Sequence, residues 1–173
     1  SLYTSEPELY GRFGFETVLQ HAFIGDAPAA ASTSLARPVD LRTEGDLVRH
    51  LLATRTSLSQ SVALVDAPDL FLEKLQSDDG IHLVYSRGLD ALVAFEVEGD
   101  TLILVDVVAA AIPTLKQILA VVPARVSRVK TLFVPDLIDW RSKPIEEDCG
   151  LMARGTLPSA MQRPFILPPT VEF

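Results

Sequence analysis

Apolar residues crowd into three short runs in the middle of the chain, at 81–86, 91–97 and 101–107, and each reads as a strand. Polar stretches at 87–90 and 98–100 separate them, and Glu98-Gly99-Asp100 is a hairpin signal. Upstream the spacing turns helical. Thr43-Glu44-Gly45-Asp46 opens a helix running to about Arg55, with Leu47, Val48, Leu51 and Leu52 on one stripe. Asp66-Ala67-Pro68-Asp69 opens a second, with Leu70, Phe71, Leu72 and Leu75 apolar. Downstream, 113–122 is expected to be a helix with Leu115, Ile118 and Leu119 inward. Residues 130–134 read as a short strand, 140–148 as polar loop and 151–154 as a final strand.

The first 25 residues form a separate unit in this reading. Residues 1–4 are the end of a strand. Ser5 is placed as an N-cap, followed by Glu6-Pro7-Glu8, with proline suited to the first turn and the acids to the dipole. The helix spans about two turns and stops near Gly14. Residues 15–24 then read as a strand with Phe15, Val18 and Phe23 partly buried. Residues 26–39 are rich in Ala, Ser and Pro and form the expected linker. The last stretch, 157–173, holds four of the twelve prolines and is expected to be an extended arm. The element order implies an α/β or α+β fold: a mixed, mostly antiparallel sheet with flanking helices.

At 173 residues and 48% hydrophobic content the chain can bury a sizeable core. Its net charge of −8, with no basic run, argues against sequence-independent nucleic-acid binding. The single cysteine, Cys149, allows no intrachain disulfide, which fits the reducing cytoplasm. No apolar run approaches the ~20 residues that span a bilayer, and the N-terminus lacks a signal-peptide pattern.

Leu9-Tyr10-Gly11-Arg12-Phe13-Gly14-Phe15, preceded by Ser5-Glu6-Pro7-Glu8, resembles the segment that closes the acetyl-CoA-binding domain of GCN5-related N-acetyltransferases: a Tyr, three residues, then Gly-Phe. The resemblance implies acetyl transfer to a small amine or peptide acceptor, with Tyr10 matching the tyrosine that protonates the departing thiolate. A phenol pKa of ~10 lies near a thiol's ~8.5, close enough to donate usefully. It further implies a contact from Ser5 to the pantetheine arm and from Arg12 to a phosphate. Read without it, Tyr10 is a half-buried packing residue, Ser5 a helix cap and Arg12 a solvated cation. The family holds the cofactor diphosphate on backbone N–H groups of a Gly-x-Gly turn at a helix N-terminus. No Gly-x-Gly occurs in this chain, so it is not expected to bind acetyl-CoA well alone.

The element order across 40–156 also resembles the second, non-binding domain of relatives of the enhanced intracellular survival protein. Residues 1–25 would then be the C-terminal edge of a catalytic domain, 26–39 a linker, 40–156 the second domain and 157–173 an arm. In those relatives the terminal carboxylate acts as a base, and Phe173 matches that ending. Other residues carry less. His21, His50 and His82 show no metal-ligand spacing. Cys149 follows an acidic run that disfavours a thiolate. Asp106 and Glu96 read as capping or turn carboxylates, or as strand-end carboxylates sitting in a cleft, and Trp140 as core or interface. The alternative function is a non-catalytic α/β module for binding a partner or a second copy of itself.

Overall fold

The computed structural model describes residues 1–29, 35–62, 68–147, 149–156 and 158–169. In chain order they form β1 (Leu2–Tyr3), α1 (Pro7–Gly11), β2 (Glu16–Thr17), β3 (Gln20–Asp26), β4 (Arg37–Pro38), α2 (Leu41–Thr54), α3 (Pro68–Ser77), β5 (His82–Ser86), β6 (Ala91–Glu98), β7 (Thr101–Ala109), α4 (Leu115–Val121), β8 (Arg128–Thr131), β9 (Lys143–Glu147) and β10 (Leu151–Ala153). A short 3-10 turn covers Ser159–Gln162. The expected class, a mixed and mostly antiparallel sheet with flanking helices, is the observed one. A seven-stranded sheet runs β4-β5-β6-β7-β8-β3-β9, and a three-stranded one runs β1-β10-β2. Within the larger sheet only β7 and β8 are parallel, joined through α4. β3 comes early in the chain yet lies between β8 and β9, antiparallel to both.

The β6–β7 hairpin turns where the sequence signals it, at Gly99, whose φ of 60° suits a residue without Cβ. Register slips by one between Ala94, opposite Asp106, and Phe95, opposite Leu104, so Val105 is an extra residue in β7. That bulge resets which side chains face which layer. Leu102, Leu104 and Val107 pack with Leu115, Ile118 and Leu119 of α4. Val105 and Val108 pack on the other face with Val48 and Leu51 of α2 and Phe71, Leu72 and Leu75 of α3.

Four local expectations change. α2 starts at Leu41, because Asp40 rather than Thr43 caps it, its carboxylate accepting the Arg42 N–H at 2.9 Å. The strand expected over 15–24 is two strands, β2 and β3, serving different sheets. Residues 143–147, read as loop, form β9 at the sheet edge. An edge strand tolerates Pro144 and has a solvent side, so it shows no apolar alternation. In the C-terminal arm, Phe165 and Ile166 are each only 2% exposed, so this stretch packs rather than trails. Residues 66 and 67, expected to open α3, lie outside the described residues. The small sheet is fastened at Gly150, whose carbonyl accepts the Thr4 N–H at 3.0 Å. Gly150 has φ 64°, and a Cβ there would overlap the Thr4 carbonyl oxygen.

Candidate functional site

In α/β crossovers ligands sit beyond the carboxyl ends of the parallel strands, where the crossover helix presents unpaired N–H groups. Here that place is the turn from β7 into α4. β7 and β8 pair from Thr101↔Arg128 to Leu104↔Thr131, and the Leu132 N–H adds a bond to the Leu104 carbonyl at 2.9 Å. β7 then runs on to Ala109 without β8 beside it. Residues 55–62 bridge this divergence. The Arg55 guanidinium grips the Asp106 carboxylate through two bonds of 2.9 and 2.7 Å. The Thr56 N–H and hydroxyl donate to the carbonyls of Ala109 and Ala110 at 2.8 and 2.6 Å. Leu58 packs in the cluster that holds Val107, Phe133 and Ile138. On the far side, the hydroxyls of Ser59 and Ser61 and the Gln60 N–H donate to Asp136, beyond β8, at 2.9 to 3.1 Å.

The turn itself, Ala110-Ala111-Ile112-Pro113-Thr114, contains no glycine, and Pro113 has no N–H to offer. Thr114 and Gln117 form a reciprocal capping box: the Thr114 hydroxyl accepts the Gln117 N–H, and the Gln117 side chain accepts the Thr114 N–H at 2.9 Å. Two donors of this turn, the Thr114 and Gln117 N–H groups, are thus taken up within the cap, Pro113 supplies none, and no Gly-x-Gly lets the backbone close around a diphosphate.

The residues marked by the N-terminal resemblance lie together around α1, on the other sheet. Ser5 is exposed and is not the cap: Glu6 occupies that position, and its N–H goes to the Thr4 hydroxyl at 3.0 Å. The first turn of α1 carries no side-chain cap at all. Tyr10 is exposed, its ring edge-on to Phe15 at 6.2 Å, and its hydroxyl makes no hydrogen bond among the described residues. Arg12 lies over the Phe13 ring at 4.9 Å. Leu9 and Phe13 are 43% and 56% exposed, so α1 and the turn after it present apolar side chains to solvent. Phe173 lies outside the described residues.

Elsewhere, the Trp140 indole N–H donates to the Asp26 carbonyl at 3.0 Å, with its ring against Gly25 where a Cβ would come within 2.9 Å. Trp140 is therefore packing. His82 leans on Phe95 at 5.6 Å, and His21 keeps a buried Nδ1 with no partner. Among the described residues no group of three or more His, Cys, Asp or Glu could hold a metal ion, and no helix is long and apolar enough to cross a membrane. Asp106 is not a turn residue but the buried partner of Arg55. Arg55 was invisible in the sequence, since an arginine at a helix end has no distinguishing pattern.

A separate cleft of about 300 Å³ lies on the α3 side of the sheet, between the end of α3 and the C-terminal arm. Glu96 of β6 lines it. Burial raises the Glu96 carboxyl above its ordinary value, and Asp78 and Glu98 add to this, while Lys74 and His82 pull the other way. A carboxyl whose folded pKa is raised holds its proton longer in the folded state. Its contribution to stability is therefore lost as pH rises from the unfolded value, ~4.3, through the folded one. Glu96→Gln is expected to gain melting temperature over the parent as pH is raised from ~4 to neutrality. A difference that stays constant across that range would show that Glu96 titrates as it does in the unfolded chain.

No protein-family model and no curated protein sequence matches the chain. Several solved structures match the chain, among them these two. One is a GCN5-related N-acetyltransferase from Kribbella flavida, at 16% identity and a TM-score of 0.47, covering 84% of this chain and 40% of that one. The other is a conserved protein of unknown function from Enterococcus faecalis V583, described as a probable N-acyltransferase, at 12% identity and a TM-score of 0.53. That match covers 87% of this chain and 43% of the other. The chain thus shares the fold of the Enterococcus structure and spans about two fifths of the length of each.

Proposed function

We propose that this chain is part of a GNAT-type N-acyltransferase that moves an acetyl group from acetyl-CoA to an amine or peptide acceptor, and that its seven-stranded sheet is a domain that does not itself hold the cofactor. The observation that carries this reading is the closed crossover: residues 55–62 fill the divergence of β7 and β8, and α4 caps its own N-terminus. A fold of this kind with that position closed serves better as a support or acceptor-side wall than as a cofactor site. Acetyl-CoA would then be held by chain outside residues 1–173.

Of residues 1–25, read from the sequence as the edge of that catalytic domain, 20–25 belong to β3 inside the seven-stranded sheet, so we assign only residues 1–19 to that edge. The apolar side chains of Leu9 on α1 and Phe13 in the turn after it are exposed, as expected of a surface that meets more protein. Tyr10 is the one side chain here that we assign to the reaction, because it is exposed and its hydroxyl makes no hydrogen bond among the described residues.

Two measurements test this. Calorimetry of acetyl-CoA against the 173-residue chain is expected to show no binding, and micromolar binding would overturn the closed crossover. In the full-length enzyme, Tyr10→Phe is expected to lower kcat by about 10²-fold or more, the usual scale for losing an acid–base group. Unchanged kcat across pH would remove Tyr10 from the reaction.

A further inference from the structure

The cleft beside Glu96 has no part in the reading above, and its lining is chemically lopsided. One wall is apolar: Val105 and Leu132 from the sheet side, Ile166 and Leu167 from the C-terminal arm. Its charged groups come from three elements, and all but one are matched. Lys74 pairs with Asp78 at 3.5 Å, and the other Asp78 oxygen accepts the Gly80 N–H at 3.2 Å. Glu147 accepts from Lys130 at 2.6 Å. Glu96 alone among these carboxylates receives neither an ion pair nor a hydrogen bond among the described residues.

We infer that this cleft binds a small organic monocation with an apolar stem, the cationic head against Glu96 and the stem along Val105, Leu132 and Leu167. The volume, about 300 Å³, is at the lower end of small-molecule pockets. An apolar wall with one converging charge is the arrangement that fixes a ligand's orientation while burial supplies the affinity. The sign follows from the pairing: Lys74 and Lys130 are each held by a carboxylate of their own, so the unmatched charge is negative. An anionic ligand would add to it, and a neutral one would leave it desolvated without a partner. Burial and the nearby Asp78 and Glu98 already disfavour the Glu96 charge, and a cationic head would relieve both. This inference does not rest on acyl transfer, and its test contains no CoA.

The test is an NMR titration of the ¹⁵N-labelled 173-residue chain with hexylammonium chloride, using 1-hexanol as the uncharged counterpart. Saturable shifts are expected at the amides of Val105, Leu132 and Leu167, with hexylammonium bound at least about tenfold more tightly than hexanol. Glu96→Gln, which keeps the shape and removes the charge, should bring hexylammonium down to the level of the alcohol. Lys74→Ala should strengthen hexylammonium binding, because it frees Asp78 and removes a competing ammonium. Equal binding of the two probes overturns the inference. So do unchanged hexylammonium affinity in Glu96→Gln, shifts confined to other parts of the chain, and no saturable binding at all.

Discussion

Asp106→Ala is expected to destabilise the chain by about 3–5 kcal/mol, the scale for removing one partner of a buried ion pair. The Asp106 side chain is 3% exposed and that of Arg55 16%. The carboxylate takes both guanidinium bonds and also the Val107 N–H at 2.7 Å. Alanine leaves a guanidinium largely out of water with no counter-charge, and a buried backbone donor with no acceptor. The loss spreads along the chain. Arg55 begins the segment that reaches from the end of β7 to Asp136, so Leu58 would lose its anchor against Val107 and Phe133. The pair Arg55→Met with Asp106→Leu is expected to be less destabilised than either single substitution, since neither charge is left stranded. Urea denaturation of the parent, Asp106→Ala, the two single substitutions of the pair and the double variant checks this. A single Asp106→Ala within about 1 kcal/mol of the parent would mean that the pair is effectively solvated. Opening the crossover in this way should not create acetyl-CoA binding, because the turn into α4 still has no glycine and keeps its capping box.

What could be read from the sequence follows from the range of the forces involved. The hairpins β5 to β7 announce themselves because each strand is buried on both faces and so is dense in Val, Leu, Ile and Ala. Helix α4 is signalled by the helical spacing of Leu115, Ile118 and Leu119, a local pattern that needs no knowledge of the fold, and all three are buried. By contrast, the bulge at Val105 leaves no mark, since an extra residue in an apolar run is still an apolar run. β9 is hidden because an edge strand of Lys-Pro-Ile-Glu-Glu obeys the rules of edges and not those of cores. The missing Gly-x-Gly is visible in the sequence. The bridge that fills the crossover is not, since Arg55 and Asp106 are 51 positions apart and nothing local links them. Glu96 is only half legible: the sequence offers it as a capping, turn or strand-end carboxylate, and the placement of α3 and the arm is what sets it in a cleft.

The second large effect lies in the C-terminal arm. Phe165→Ala is expected to cost about 3–5 kcal/mol, as for a large core aromatic, or roughly 2–4 °C of melting temperature for each kcal/mol in a chain of this size. Four prolines in seventeen residues suggest a tail, yet Phe165 is 2% exposed in a cluster with Val18, Val134 and Leu151. Val18 precedes β3 and Leu151 opens β10, so this one ring packs at the junction of the two sheets. The backbone around it is equally committed. The Phe165 carbonyl accepts the His21 N–H at 2.7 Å, and the Leu167 N–H donates to the Gln20 side-chain oxygen at 2.7 Å. Gln20 is wholly buried, and its amide nitrogen already lacks a partner, so losing the arm would leave the other end of the carboxamide unsatisfied as well. Hydrogen exchange should therefore show His21 and Leu167 losing protection together in Phe165→Ala, while amides in the β6–β7 hairpin keep theirs. A cost below about 1 kcal/mol, or exchange at Leu167 that does not follow His21, would mean that the prolines alone hold the arm in place. Their fixed φ lowers the entropy of ordering the arm but supplies no contact, so the ring must hold it against the sheet.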